Sequence, residues 1–191
     1  MDNTILYLGT QRLEEVKSFR YLGVEFQANA CFKLMKNQMI KKARTRLALV
    51  SHAVCNGLSP DVSLKLWKTL ICPTLTYAVE VWGFTHWSEA ETLQLEMARL
   101  ILGVGSSTAN DAVRGELGLW TMRGMFDFAI LRLWGKVVKM DHNRICHRVY
   151  QYRKLHIREG SAGWCKKVRT LLHDLDQDAL WASEDVGDYR S

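Results

Sequence analysis

The stretch Phe32-Lys33-Leu34-Met35-Lys36-Asn37-Gln38-Met39-Ile40-Lys41-Lys42-Ala43-Arg44-Thr45-Arg46-Leu47, running on to Cys55, contains neither proline nor glycine. Phe32, Met35, Met39, Ile40, Ala43, Leu47, Val50 and Val54 recur in it at three- and four-residue spacing, which places them on one stripe of a helix. The pattern predicts a helix over 32–55. Asn56-Gly57 stops it, since Gly57 suits a left-handed cap. Lys33, Lys41 and Arg44 fall together on another face, with Arg46 as a further cation.

Helical punctuation continues outward from there. Ser59-Pro60-Asp61 opens a helix whose core side is expected to be Val62, Leu66 and Leu70, with Trp67 and Ile71. Pro73 must interrupt or kink it, because its ring lacks an N–H and disfavours helical geometry at Cys72. Helix is expected to resume to Trp82 and to close at Gly83. Ser88-Glu89-Ala90-Glu91 fits a capping box and opens a helix ending near Gly103. Asn110 or Asp111 caps a short helix ending near Gly118, and Thr121 caps a long one to about Met140. That last helix carries Phe126, Ile130, Leu133, Trp134 and Val137 on one side, with Arg132, Lys136 and Lys139 as a basic ridge. Two helices, about 143–158 and 162–175, follow, and 182–191 is expected to fray.

The start of the chain reads differently. Ile5-Leu6-Tyr7-Leu8 and Phe19–Phe26 are short, aromatic and partly alternating, which predicts a β-hairpin or paired strands over 4–27, with a bulge or close approach at Gly23. The fold class is therefore mainly α: a helical bundle with a short N-terminal β-hairpin. The organisation expected is a hairpin over 1–27, a helical body over 28–140, and basic C-terminal helices with an acidic tail over 141–191.

Of 191 residues, 48% are hydrophobic and 24% charged, which excludes a disordered chain. No apolar run reaches the roughly 18 residues of a membrane span, and no signal peptide is expected from the opening residues. The expected location is intracellular, nucleus or cytoplasm, with the five cysteines as reduced thiols. Lys and Arg number 26 against 20 Asp and Glu, and the excess is uneven. Residues 27–60 hold six basic side chains and no acid, 142–173 hold eight with only Glu159, and 174–191 reverse the sign. Such blocks suit either a polyanionic partner or solvated helix faces.

An ordered series of motifs carries a resemblance. Val16-Lys17-Ser18-Phe19-Arg20-Tyr21-Leu22-Gly23-Val24 is followed by Lys42-Ala43-Arg44 and the Leu58-Ser59 turn. Pro73-Thr74-Leu75-Thr76-Tyr77-Ala78-Val79-Glu80-Val81-Trp82-Gly83, Leu100-Ile101-Leu102-Gly103 and Gly115-Glu116-Leu117-Gly118 complete it. Residues 16–140 resemble the end of a non-LTR (LINE-type) retrotransposon reverse transcriptase, whose motifs read F-x-Y-L-G-V and P-x-L-x-Y-G-x-E-x-W-G. Ala78 stands where that family usually has Gly. The resemblance implies a palm-edge hairpin with Tyr21, Leu22 and Gly23 as a primer grip, then the thumb and a helical connector. The family's Y-x-D-D precedes this region and does not occur in the sequence, so no catalytic residue is assigned and no polymerase activity is expected from the chain alone.

Other chemistry finds little footing. The His and Cys residues of 142–173 never pair as CxxC, so no metal ligand and no cofactor is assigned. Asp174-Leu175-Asp176-Gln177-Asp178 begins like a calcium loop, but Ala179 takes the position that needs Gly. Two functions remain: a thumb that grips a template–primer duplex, RNA–DNA or otherwise, by its backbone through Lys33, Lys41, Arg44, Arg46, Arg132, Lys136 and Lys139, or a helical protein–protein interaction module. Exposed apolar surface would then lead to self-association or to a palm-domain partner. A decayed element copy with no selected function is the third reading.

Overall fold

The computed structural model describes residues 7–29, 31–157 and 163–187. It divides into two compact units, 1–38 and 39–191, with the boundary inside the first long helix.

The first unit holds two antiparallel ladders. β1 (Tyr7–Leu8) pairs with β2 (Gln11–Arg12), and β3 (Ser18–Tyr21) pairs with β4 (Val24–Gln27). The strands foreseen over 4–27 are present where described, and Ile5 and Leu6 lie outside the described residues. Phe19–Phe26 is not one strand. Tyr21 faces Val24, and Leu22 (φ 47°) with Gly23 (φ 83°) forms the two-residue turn between them. Two positive φ values in a two-residue loop match the right-handed twist of the flanking strands, which explains why glycine sits there and replaces the bulge that was expected. Leu22 takes the same left-handed region with a Cβ, an uncommon and strained choice. Val24 is buried, and the Phe26 and Phe32 rings meet edge to face at 6.1 Å.

The helix α1 (Lys33–Cys55) bears the stripe read from the sequence: Met35, Met39, Ala43, Leu47 and Val50 are all buried. Gly57 caps it at φ 92°, with Leu58 N donating to Ala53 O and Gly57 N to Val54 O.

In the second unit α2 (Pro60–Leu66) runs into a single π turn, Trp67–Ile71, and then α3 (Cys72–Thr76). The extra residue in that turn shifts the buried position from Leu70 to Ile71, whereas Val62 precedes the turn and lies on the outer side of α2. Ser63, Trp67 and Ile71 point inward, whereas Val62 and Leu70, assigned to the core by regular spacing, are exposed. Ser63 is tolerated in the interior because its hydroxyl donates to Ser59 O at 2.8 Å. Pro73, second in α3, needs no amide partner there. Helix does not continue from Pro73 to Trp82. Tyr77 is extended and Ala78 left-handed (φ 52°, ψ 23°), and α4 (Val79–Trp82) starts afresh.

The remaining helices are α5 (Ser88–Leu102), α6 (Asn110–Glu116), α7 (Met122–Val138), α8 (Ile145–Leu155), α9 (Trp164–Asp174) and α10 (Asp178–Ser183). Thr121 caps α7 as expected, accepting from Gly124 N at 2.9 Å. Trp82, Trp87 and Phe126 pack ring to ring, with Trp82 and Trp87 at 5.2 Å. A second cluster joins Ile130, Trp134 and Val137 of α7 to Tyr150 of α8, Val168 and Leu171 of α9, and Val186. The chain is therefore ordered past 182, contrary to the frayed end expected. Glu184 is held by Tyr150, Gln151 and Lys154, and Val186 is buried. Residues 188–191 lie outside the described residues. No described helix is long and apolar enough to cross a membrane.

Candidate nucleic-acid interface

The cations of α1 divide by the direction that helical geometry gives them. Lys33, within the first unit, is exposed; so are Lys41 and Arg44 in the second. Arg44 Nη1 lies 3.3 Å from Glu96 Oε2, both side chains about half exposed, so water and salt weaken the pair to a fraction of a kcal/mol. Arg46 behaves differently. At about 100° per residue it sits about 40° from Val50, within the angular span of the buried stripe. Its guanidinium turns toward the π turn and donates to Leu70 O at 2.7 Å and to Thr74 Oγ1. Leu70 O, which also accepts from Thr74 Oγ1 at 3.1 Å, thereby gains a charged donor.

Arg132 and Lys136 on α7, with Lys139 at its C-cap, are exposed along one ridge, as their spacing required. Lys139 Nζ donates to Gly187 O. Asp127, the one acid of α7, is engaged by Arg123 at 2.9 Å and Lys167 at 3.3 Å, so it leaves the ridge cationic. Exposed Arg144, Arg148, Arg153 and Arg169 add a further basic surface from α8 and α9. Tyr21 and Leu22 are exposed at the tip of the β3–β4 hairpin, with Gly23 half-buried beside them.

Polar groups missed in the sequence set the scaffold. Glu91 does not close a capping box on Ser88. Its Oε1 accepts from Arg123 N at 2.7 Å in the first turn of α7, and its Oε2 takes Arg114 Nη2 at 2.7 Å. Gln94, buried, accepts from Arg114 Nε at 3.2 Å and donates to Trp120 O at 2.8 Å. Asn110 likewise makes no cap bond and instead accepts from Arg99 Nη2 at 2.6 Å. Glu91 and Gln94 stand three apart inside an apolar helix, a signal that could have marked them as partners of a distant donor.

Near the C-terminus, burial pushes the Glu184 carboxyl up, but hydrogen bonds from Lys154, Tyr150 and Gln151 outweigh it and hold the group below its ordinary value. The hydrogen bond to Asp178 raises the exposed His173 imidazole. His147 is buried, its Nδ1 donating to Val137 O at 3.1 Å while its Nε2 meets His142 Nδ1 at 2.9 Å. Among the described residues no cluster of three or more His, Cys, Asp or Glu is placed to hold a metal ion.

No family model matches the chain, and no solved structure matches it. Over 96 residues it is 31% identical to the RNA-directed DNA polymerase from mobile element jockey of Drosophila funebris, a stretch covering 48% of this chain and 10% of that polymerase. The matched part is thus about a tenth of the curated relative. This likeness supports a relation to the non-LTR retroelement reverse transcriptases.

Proposed function

We propose that the chain is the primer-grip hairpin, thumb and connector portion of a retroelement RNA-directed DNA polymerase, and that it grips a template–primer duplex through the phosphate backbone without carrying out nucleotidyl transfer itself. The observation that carries this reading is the one-sided charge of the helices. Lys33, Lys41 and Arg44 are exposed on α1 in a segment with no acid from 27 to 60, and Arg132, Lys136 and the C-cap Lys139 are exposed along α7. Backbone gripping needs cations on a helix face and no base-edge readout. Arg46 contributes by holding the π turn through Leu70 O and Thr74 Oγ1, and it stays an exposed cation. The likeness to a polymerase of a mobile element supports a nucleic-acid partner.

The test is binding to an RNA–DNA hybrid and to duplex DNA over a salt series. Each phosphate contact contributes about −0.9 to the slope of log K against log salt for duplex DNA. Lys33→Glu with Lys41→Glu and Arg44→Glu should flatten the slope by roughly two to three units for every sequence alike. A folded triple variant with unchanged affinity and slope refutes the α1 contacts. One observation favours the protein-interaction reading: Ile145 (77% exposed), Val149, Tyr152 and Leu155 (81%) line the outer side of α8. Concentration-dependent sedimentation with no nucleic-acid binding at low salt selects that alternative.

A further inference from the structure

Of the seven tryptophans, four are buried and two half-buried; Trp120 is 65% exposed. An indole in water gains nothing by burial, yet this one is held firmly at its backbone. Its carbonyl accepts from the buried Gln94, which Arg114 fixes, which Glu91 fixes in turn. The next residue, Thr121, caps α7. Buried polar networks that are fully satisfied rigidify what they hold. The Trp120 ring stands edge to face against Phe128 at 6.1 Å and 87°, and Phe128 is itself 55% exposed. Phe128 lies one helical turn before Arg132 and two before Lys136, on the same face of α7. The basic ridge therefore ends in an open aromatic pair.

We infer that Trp120 and Phe128 form a stacking platform for unpaired nucleotides, with Arg132 and Lys136 taking the phosphates that lead to it. This site goes beyond the duplex grip, though it shares the nucleic-acid reading with it. Every base has a π face, so such a platform is sequence-tolerant, and the ridge complements a polyanion. Asp127, the acid of this helix, is already matched by Arg123 and Lys167, so no carboxylate opposes the strand on α7.

The experiment compares fluorescence anisotropy of the full chain with a labelled single strand, a blunt duplex and a duplex bearing a short overhang. Trp120→Ala should weaken the single strand and the overhang by about 5- to 150-fold, the worth of one stacked base. The blunt duplex should be unchanged, Trp120→Phe should keep most of the affinity, and Phe128→Ala should act in the same direction as Trp120→Ala. Circular dichroism verifies the fold of each variant. Equal affinity of wild type and Trp120→Ala for the overhang overturns the platform while leaving the duplex grip standing. Loss of blunt-duplex binding in the same proportion also overturns it, by showing a general structural role. Absence of binding to all three nucleic acids, with self-association that Trp120→Ala abolishes, overturns both readings and makes the pair a protein contact.

Discussion

Ala78 and Gly83 stand five residues apart, at the start and end of α4, and each is the opposite of what its backbone prefers. Ala78 occupies φ 52°, ψ 23°, a left-handed conformation that costs an L-residue about 1–2 kcal/mol. Glycine relieves that cost but gives back about 0.4–1 kcal/mol through the looser unfolded chain. The net expectation for Ala78→Gly is a gain of about 0.5–1 kcal/mol, or a Tm rise of about 1–4 °C at this chain length. Gly83 has an ordinary φ of −75°, so strain does not demand glycine there. A Cβ would instead lie 2.4 Å from Val79 Cγ2 and 2.5 Å from Val79 O. Val79 is buried and its oxygen belongs to the helix backbone, so neither can yield cheaply, and Gly83→Ala should cost about 2–3 kcal/mol. Urea denaturation of both variants decides the matter, since their signs must differ. If Ala78→Gly destabilises by 0.5 kcal/mol or more, Ala78 is not left-handed in solution and the break between α3 and α4 does not exist as such.

Three further outcomes are expected. Arg46→Met keeps the aliphatic stem but removes the donor to Leu70 O, so stability should fall by about 1 kcal/mol with m unchanged in urea; no loss would mean the contact is idle. Glu184 is held below its ordinary value by its hydrogen bonds, so its contribution is full above the unfolded value and is lost as pH falls through the folded one. Acid titration of wild type should therefore show a loss that Glu184→Gln lacks, read by thermal melts from pH 7 to 3. Burial pushes the Cys72 thiol up to about 11, so at pH 8 a thiol reagent should modify exposed Cys31, Cys55 and Cys146 at once and Cys72 only on unfolding.

The long helices were legible because their stripes are long. Met35 to Val50 on α1 and Phe126 to Val137 on α7 repeat often enough that one period fits, and both stripes are buried. The short elements were not. A π turn inserts one residue where Trp67–Ile71 looks like any apolar helix, and the break at Tyr77-Ala78 carries no glycine to announce it. The one hint was positional, since the resembling family places glycine at that point, and the φ of Ala78 gives the physical reason. Among the candidate cations, the exposure of the α7 ridge followed from spacing alone. The contacts of Arg46 did not, because its partners, Leu70 O and Thr74 Oγ1, lie 24 and 28 residues away on another element. The partners of Glu91, Gln94 and Glu184 lie 20 to 34 residues away, a distance over which local pattern carries no information.

The bond from Trp164 Nε1 to Glu80 O spans 84 residues at 2.8 Å. It ties a four-residue helix near the middle of the chain to one near its end. On a ribosome adding about 5–20 residues per second, the Glu80 carbonyl waits roughly 4–17 s for its donor to be made. Until then α4 must rely on α7, which arrives earlier and covers Trp82 with Phe126. The order of synthesis thus builds the aromatic cluster first and clamps it from outside last, and a nascent chain halted between 140 and 164 would present a packed interior under an unfinished seal.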